Sequence, residues 1–518
     1  MAFSSPGAAA TCGPDAENST GGRNVAAAAT ETCASAGGSP GIGYTASGGS
    51  LTVNINNDPV FTYGVNLKDN GTKENLTIND GLAGSFTASA ISATNAHAVN
   101  LDAGLGGGNV SFTSLAGGTV TASGTGVNGI NVTLGGLTGN GAGATIVTGA
   151  AVNQSGANGN GIYVQGGGGG GGKISITANA NVTGSYHAIL VNNTLDDIAI
   201  VAGSAANPVT ITGGESQPGD TAINVFGGSI AITTFGTING GVNGGGSSAV
   251  VNITGNVSTM AGNSAVGGGT SGGTGNATVT VSGGTISAVN ASGRDAMAVI
   301  ANTNGSGTAL LTLGDGEIVH GGVAGAFAGS SAGLASLVTG SNITATSGAD
   351  RLAFNTVGPY YGVGLLALSS QKTLSRITTS ALATGSGNNI TVLGDWVAGI
   401  AAVNNSSTFF GPDIGTTGLG GVQIATGSDN SIAATGSIAY GIAGQTMEAG
   451  RFTDFGDVTI SVGARNSIVL NQSAANSTGF FPTLVGLYAV SGGNINISWA
   501  GSGGSITATG ATTVANGN

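Results

Sequence analysis

Asn160-Gly161-Ile162-Tyr163-Val164, His187-Ala188-Ile189-Leu190-Val191 and Thr221-Ala222-Ile223-Asn224-Val225 are copies of one phrase. It reads as a variable, often polar residue, then Ala or Gly, then apolar, any residue, apolar. Earlier copies are Tyr63-Gly64-Val65-Asn66-Leu67, His97-Ala98-Val99-Asn100-Leu101 and Asn128-Gly129-Ile130-Asn131-Val132. Looser copies start at Ser248, Asp295, Tyr361 and Tyr440, and the last is Val485-Gly486-Leu487-Tyr488-Ala489. The first apolar positions, 65, 99, 130, 162, 189, 223 and 250, lie 34, 31, 32, 27, 34 and 27 residues apart. A second phrase follows many copies, as in Ile174-Ser175-Ile176, Ile198-Ala199-Ile200 and Ile230-Ala231-Ile232. A third is shorter and follows a glycine: Gly284-Thr285-Ile286, Gly436-Ser437-Ile438, Gly504-Ser505-Ile506.

Period-two alternation of β-branched residues, cut by Gly/Asn/Ser clusters, marks short strands. Three strands in each 27–34-residue period, with no helix signal between them, predict an all-β parallel β-helix. Alternate residues of each strand should form inward columns, with Ile162, Ile189 and Ile223 sharing one. An antiparallel sandwich would need paired hairpin phrases at regular 8–12-residue spacing, which fit less well. Residues 1–45 lack the strand rhythm and read as a short irregular N-terminal lead-in; residues 46–518 read as the solenoid. Gly166–Gly172 and Gly244–Ser248 read as loop excursions between coils.

Composition agrees with this architecture. Gly contributes 102 of 518 residues, about one in five, against roughly 7% in ordinary proteins. Charged residues are 6%, so amphipathic helices, which need a charged or long polar face, cannot be numerous. The 10 basic and 22 acidic side chains give a net charge of −12, which excludes a nucleic-acid binder that must neutralise a run of phosphates. A 40% apolar content argues against disorder. No stretch approaches the roughly 20 apolar residues of a membrane helix, and Met1 to Gly13 has neither a basic nor an apolar segment of a signal peptide. Cys12 and Cys33 are the only cysteines. They are either two unrelated thiols or, as a close pair in an export-like composition favours, a disulfide. Closing about 20 residues would contribute on the order of 3 kcal/mol.

The opening of the chain carries a family resemblance. Cys12 and Cys33 precede Ser39-Pro40-Gly41-Ile42-Gly43-Tyr44 and then Gly48-Gly49-Ser50-Leu51-Thr52-Val53. With the recurrent Ala/Gly-Ile-x-Val phrases across roughly residues 40–510, this resembles the passenger region of Gram-negative autotransporters, especially the Gly/Ala/Thr/Asn-rich alphaproteobacterial kind. The resemblance implies a right-handed β-helix, export through a C-terminal outer-membrane barrel, and display on or release from the cell surface. Neither a barrel nor a signal peptide is visible, so the chain is expected to be the passenger part, cut before a translocator barrel.

Chemistry is sparse. Asp196-Asp197 and His320-Gly321 are similar to elements of β-helical polygalacturonases, but such hydrolysis needs carboxylates converging on one bond. No other carboxylate lies between Asp102 and Asp196, and no Arg-x-Lys element is present. Lys173, Arg294 and Arg376 lack the basic companions a polysaccharide lyase needs. Gly329-Ser330-Ser331-Ala332-Gly333 matches the nucleophile-elbow pattern without the helix that motif requires. The Gly-rich run before Lys173 lacks the Ser/Thr of a phosphate loop, and three histidines without clustered Cys support no metal site. No catalytic, cofactor-binding or metal-binding set is therefore expected.

The residue that opens the repeat phrase is the better candidate. Tyr63, His97, Asn128, Asn160, His187, Tyr361 and Tyr440 hold that place. They would form either a turn-adjacent polar column or a contact ladder along one edge. Trp396 and Trp499 could serve as glycan-stacking platforms or sit half-buried against a neighbouring coil. The sequence thus reads as a non-enzymatic, surface-displayed or secreted adhesin or aggregation module. Its expected partners are a host or neighbouring-cell glycan or protein, or a second copy of itself. A β-helical glycan hydrolase or lyase and a structural stalk are the alternatives.

Overall fold

The structure is a computed structural model. It describes residues 23–25, 28–33, 41–56, 60–70, 73–81, 90–104, 107–135, 141–166, 172–192, 195–213, 221–259, 264–288, 296–347, 362–370, 379–394, 396–405, 420–447, 456–472, 483–491 and 493–509. Among them are 43 strands and no helix, and every registered strand pairing is parallel. The chain divides into two units, residues 1–246 and 247–518, and each is a parallel β-helix.

In the first unit each coil contributes one strand to each of three sheets. Leu51–Ile55, Leu76–Asp80, Val110–Ser114, Ala144–Thr148 and Lys173–Ala178 stack in the first sheet. Ala90–Thr94, Thr119–Ser123 and Ala151–Gln154 stack in the second. Val65–Asp69, Val99–Asp102, Ile130–Thr133, Ile162–Gln165 and Ile189–Asn192 stack in the third. The 17-residue strand Ile223–Asn239 visits all three sheets in turn. The expected inward column is present: Ile162 pairs with Ile189, Ile189 pairs with Ile223, and all three are fully buried.

The second unit repeats the plan with larger residues in its third sheet. Ala324–Ser330, Gly362–Ser370, Trp396–Asn405 and Ile438–Met447 stack there. Leu365, Ile400 and Ile442 form one column, and the alternation of a strand puts their neighbours on the opposite face. That opposite face carries a second apolar cluster, including Phe327, Leu366, Ala401 and Ala443, so this sheet is buried on both sides. The interior is narrow. Gly364, Gly399 and Gly441 stack one on another, and a Cβ built on each would meet the Cγ2 of Ile390, Ile432 or Ile468 at 2.3–2.4 Å. Glycine is required because the isoleucines of the second sheet lie directly on that backbone.

Three expectations are corrected. The lead-in is already solenoid where it is described. Ile42–Ala46 pairs with Val65–Asp69, Ala29–Cys33 with Leu51–Ile55, and Arg23–Val25 with Ile42–Ala46, so the coil begins before residue 46. Gly244–Ser248 is not a loop: it lies inside the strand Val242–Ser258. The copy starting at Ser248 belongs to a different sheet from the earlier ones. Ala249–Thr254 pairs with Ala277–Ser282 in the first sheet, and Val250 points outward, 39% exposed. Two-residue alternation is the same on every sheet, so the phrase alone did not separate them.

Cys33 ends the strand Ala29–Cys33 and is buried, while Cys12 lies outside the described residues. The expected bridge between them stands as a proposal. Thiol labelling of the exported, denatured, unreduced protein is expected to find no free sulfhydryl, and two after reduction. Two reactive thiols before reduction overturn the pairing.

The columns make a second prediction. Ile189→Ala removes a buried side chain from a stack that cannot collapse, and should cost about 2–5 kcal/mol. Leu190→Ala, one residue on and facing outward, should cost under about 1 kcal/mol. Denaturant midpoints of the two variants check the difference.

Candidate functional site

The seven residues expected as a ladder separate into distinct environments. Tyr63 is exposed, at 69%. Asn128, Asn160, His187 and Tyr440 are buried, His97 is half-buried, and Tyr361 lies outside the described residues. Tyr440 is also out of step with the position assigned to it, because it pairs through Ala398 with Val363.

In the first unit the column is real but faces the wrong way for a contact strip. Each side chain serves the turn that leads into the third sheet. The N–H of Asn128 donates to His97 Nδ1 at 2.9 Å, and the N–H of Asn160 donates to Asn128 Oδ1 at 3.0 Å. Asn160 Nδ2 donates to the same oxygen, while Asn128 Nδ2 donates to Asn131 at 2.8 Å. On the outward face of the third sheet a second ladder runs from Asn131 to Asn100 and from Asn100 to Asn66, both at 2.7 Å. His187 donates from Nδ1 to the carbonyl of Thr221, and its ring lies 4.1 Å from that of Tyr186. The two histidines therefore use opposite tautomers at equivalent places. Burial holds the His97 imidazole below its usual range, which suits a ring that accepts through Nδ1. His97, Asn128 and His187 thereby satisfy main-chain N–H and C=O groups that would otherwise be buried without partners, while Asn160 bonds only the Asn128 side chain and its own Oδ1 has no partner. The contact-ladder expectation is thus replaced by a structural one for His97, Asn128, Asn160 and His187.

The other motifs also resolve into turn chemistry. Asp196 is buried, and its Oδ1 accepts the N–H of Gly172 at 2.9 Å. Asp197 is exposed and accepts the N–H of Ser229 at 3.3 Å. Ser330 of the nucleophile-like pattern is buried in a strand, receives the Thr303 hydroxyl and the Gly333 N–H at 2.9 Å, and donates to Gly307 O at 3.0 Å. His320 Nδ1 bonds the Thr346 hydroxyl on the next coil. Trp396 packs on the apolar cluster of the third sheet, where the rings of Tyr440 and Tyr488 are 4.7 Å apart; burial raises both phenols. Trp499 is half-buried. Among the described residues no three His, Cys, Asp or Glu side chains gather as a metal-binding group.

What faces solvent is a set of uncharged polar columns. On the first sheet of the first unit Thr52, Thr77, Ser111, Thr145 and Ser175 are register partners. On the second, Ser92, Thr121, Asn153 and Thr183 are. Three of the positive charges sit beside a negative one. Lys68 is in register with Asp102, Lys173 with Asp197, and Arg465 grips Asp429 through Nε and Nη2 at 2.7 and 2.6 Å. That contact holds the Asp429 carboxyl below its usual range.

One titratable group escaped the sequence reading. Glu317, in the turn Gly314-Asp315-Gly316-Glu317, looks solvated but is fully buried. Its Oε2 accepts the N–H of Gly284 at 3.3 Å, and its Oε1 has no partner. It shares a column with Asn388, Asn430 and Asn466, each of which caps the neighbouring coil. Burial pushes the Glu317 carboxyl up to about 7 against the opposing pull of the Gly284 and Gly283 N–H groups. Because the folded value lies above the unfolded one, its contribution is fully present below about pH 4.5 and is lost as pH rises through 7. The wild-type chain should lose about 2–3 kcal/mol of stability between pH 5 and pH 8. Glu317→Gln should remove most of that loss, as read from denaturant midpoints at the two pH values.

Comparison with known proteins adds no relative: no family model, no curated protein and no solved structure matches the chain significantly.

Proposed function

We propose that the protein is a surface-displayed or secreted passenger of the autotransporter type, acting as a non-enzymatic adhesin or cell-aggregation module. The observation that carries this reading is the register of its exposed residues. Stacking places the same uncharged polar group on successive coils, at the strand spacing of about 4.8 Å. A surface of this kind offers many equivalent weak contacts to a polymer or to another cell, and weak contacts held on one rigid body act together. The acidic, Lys-poor composition and the cysteine pair near the N-terminus support an extracellular setting. The outer membrane of a Gram-negative bacterium is then the place of display.

Two measurements test this. Antibody labelling of intact cells expressing the native gene should detect the protein at the surface; labelling only after lysis overturns the localisation. Beads coated with the chain should attach to cells, with soluble chain as competitor. Thr121→Val alone should reduce attachment slightly, and joint replacement of Thr121, Asn153 and Thr183 should reduce it several-fold. Attachment that vanishes with one substitution, or coated beads that do not attach at all, overturns the distributed-contact reading.

A further inference from the structure

The residues that open the first-sheet strands of the first unit form a column: Ser50, Asn75, Asn109, Gly143, Lys173 and Asp197. The early members hand a side-chain oxygen to the next coil. The N–H of Asn75 donates to Ser50 Oγ at 3.2 Å, that of Asn109 to Asn75 Oδ1 at 2.9 Å, and that of Gly143 to Asn109 Oδ1 at 2.8 Å. Gly143 has no side chain and ends the series. Here the surface opens into a recess of about 410 Å³, lined by Asn75, Thr77, Asn109, Ser111, Thr145 and Lys173 around Val110 and Gly143. Its size falls in the range of ordinary ligand sites, about 300–1,000 Å³.

The lining is rich in donors. Asn75 and Asn109 each hold one main-chain N–H on Oδ1 and keep their amide N–H groups for a ligand. Lys173 can only donate, and Thr77, Ser111 and Thr145 add hydroxyls. No carboxylate lines the recess, although the chain has 22 acidic residues against 10 basic ones. Asp197 neighbours Lys173 in register, but it stands outside the lining and takes the Ser229 N–H.

We propose that this recess binds an extended acidic polysaccharide, with Lys173 holding a uronate carboxylate and the asparagine and hydroxyl donors taking ring and hydroxyl oxygens. The elongated form follows from the register. Thr77, Ser111 and Thr145 repeat along the coil axis at about 4.8 Å, an interval close to that between successive rings of an extended sugar chain. A free phosphate would engage only the Lys173 end. The proposal deepens the adhesin reading by naming a ligand class, and it rests on that reading only for its cellular role.

Calorimetric titration of the full chain tests it, using a short oligogalacturonate, the same oligosaccharide with its carboxyls reduced to alcohols, and inorganic phosphate. The oligogalacturonate should bind, more weakly as salt is added, and the reduced form should not. Phosphate should compete only at far higher concentration. Lys173→Gln should weaken binding about tenfold with an unchanged circular dichroism spectrum, and Ser111→Ala with Thr145→Val should weaken it several-fold. Absence of oligogalacturonate binding, wild-type affinity in Lys173→Gln, or phosphate competing as well as the oligosaccharide overturns the site. If coated beads still attach to cells when the uronate does not bind, the recess proposal falls and the adhesin reading stands.

Discussion

Among the described residues the strands of each coil pair in parallel with those one coil away, and the rest of the structure follows from that ladder. A side chain in such a stack has a neighbour of the same kind at about 4.8 Å. For Ile, Val and Ala inside, this is favourable packing. For a charge outside it is not: two like charges at about 5 Å repel by roughly 3 kcal/mol at an effective dielectric of 20. A charged content of only 6% agrees with this rule. Lys68 beside Asp102 and Arg465 beside Asp429 obey it. Thr, Ser and Asn stack without that penalty, and asparagine gains a hydrogen bond to its copy, as Asn79 does to Asn54 at 2.9 Å.

The same ladder explains where glycine goes. A small coil brings the second sheet within contact of the third, and in the second unit the isoleucine column 390, 432 and 468 lies over the glycine column 364, 399 and 441. Neither column could change alone. At the turns the requirement is conformational instead: Asn95, Asn158 and Asn342 adopt φ of 57–58°, where a short polar side chain is tolerated and a β-branched one is not.

The inward columns were legible because apolar periodicity survives any turn length. Val65, Val99, Ile130, Ile162, Ile189 and Ile223 align in one register despite spacings from 27 to 34 residues. Facing was less legible. The polar residue before Ala or Gly was seen as a column, but nothing in its identity says whether it looks outward or into the turn. Turn N–H groups need acceptors, and that need decided the matter for His97 and Asn128. The first coils were missed because Ala29-Thr30-Glu31-Thr32-Cys33 alternates without a large apolar residue. Glu317 was missed because its column mates are 26 to 149 residues away in the chain and are recognisable only once the register is known.

Buried amide columns have a consequence beyond satisfying turns. Apolar stacks of similar residues are indifferent to which Ile meets which, and a slip by one coil would cost them little. A buried asparagine is not indifferent. Asn388, Asn430 and Asn466 are each 1% exposed, and each accepts a main-chain N–H through Oδ1 and donates Nδ2 to a main-chain carbonyl. A slip of one residue turns all three toward the wrong face and leaves buried amides unpaired, at roughly 1–3 kcal/mol apiece. The polar column therefore reinforces what the hydrophobic columns already specify, since a slip of one residue turns both sets toward the wrong face. Placing it in the turn, where unpaired N–H groups already need acceptors, lets one set of side chains meet both needs.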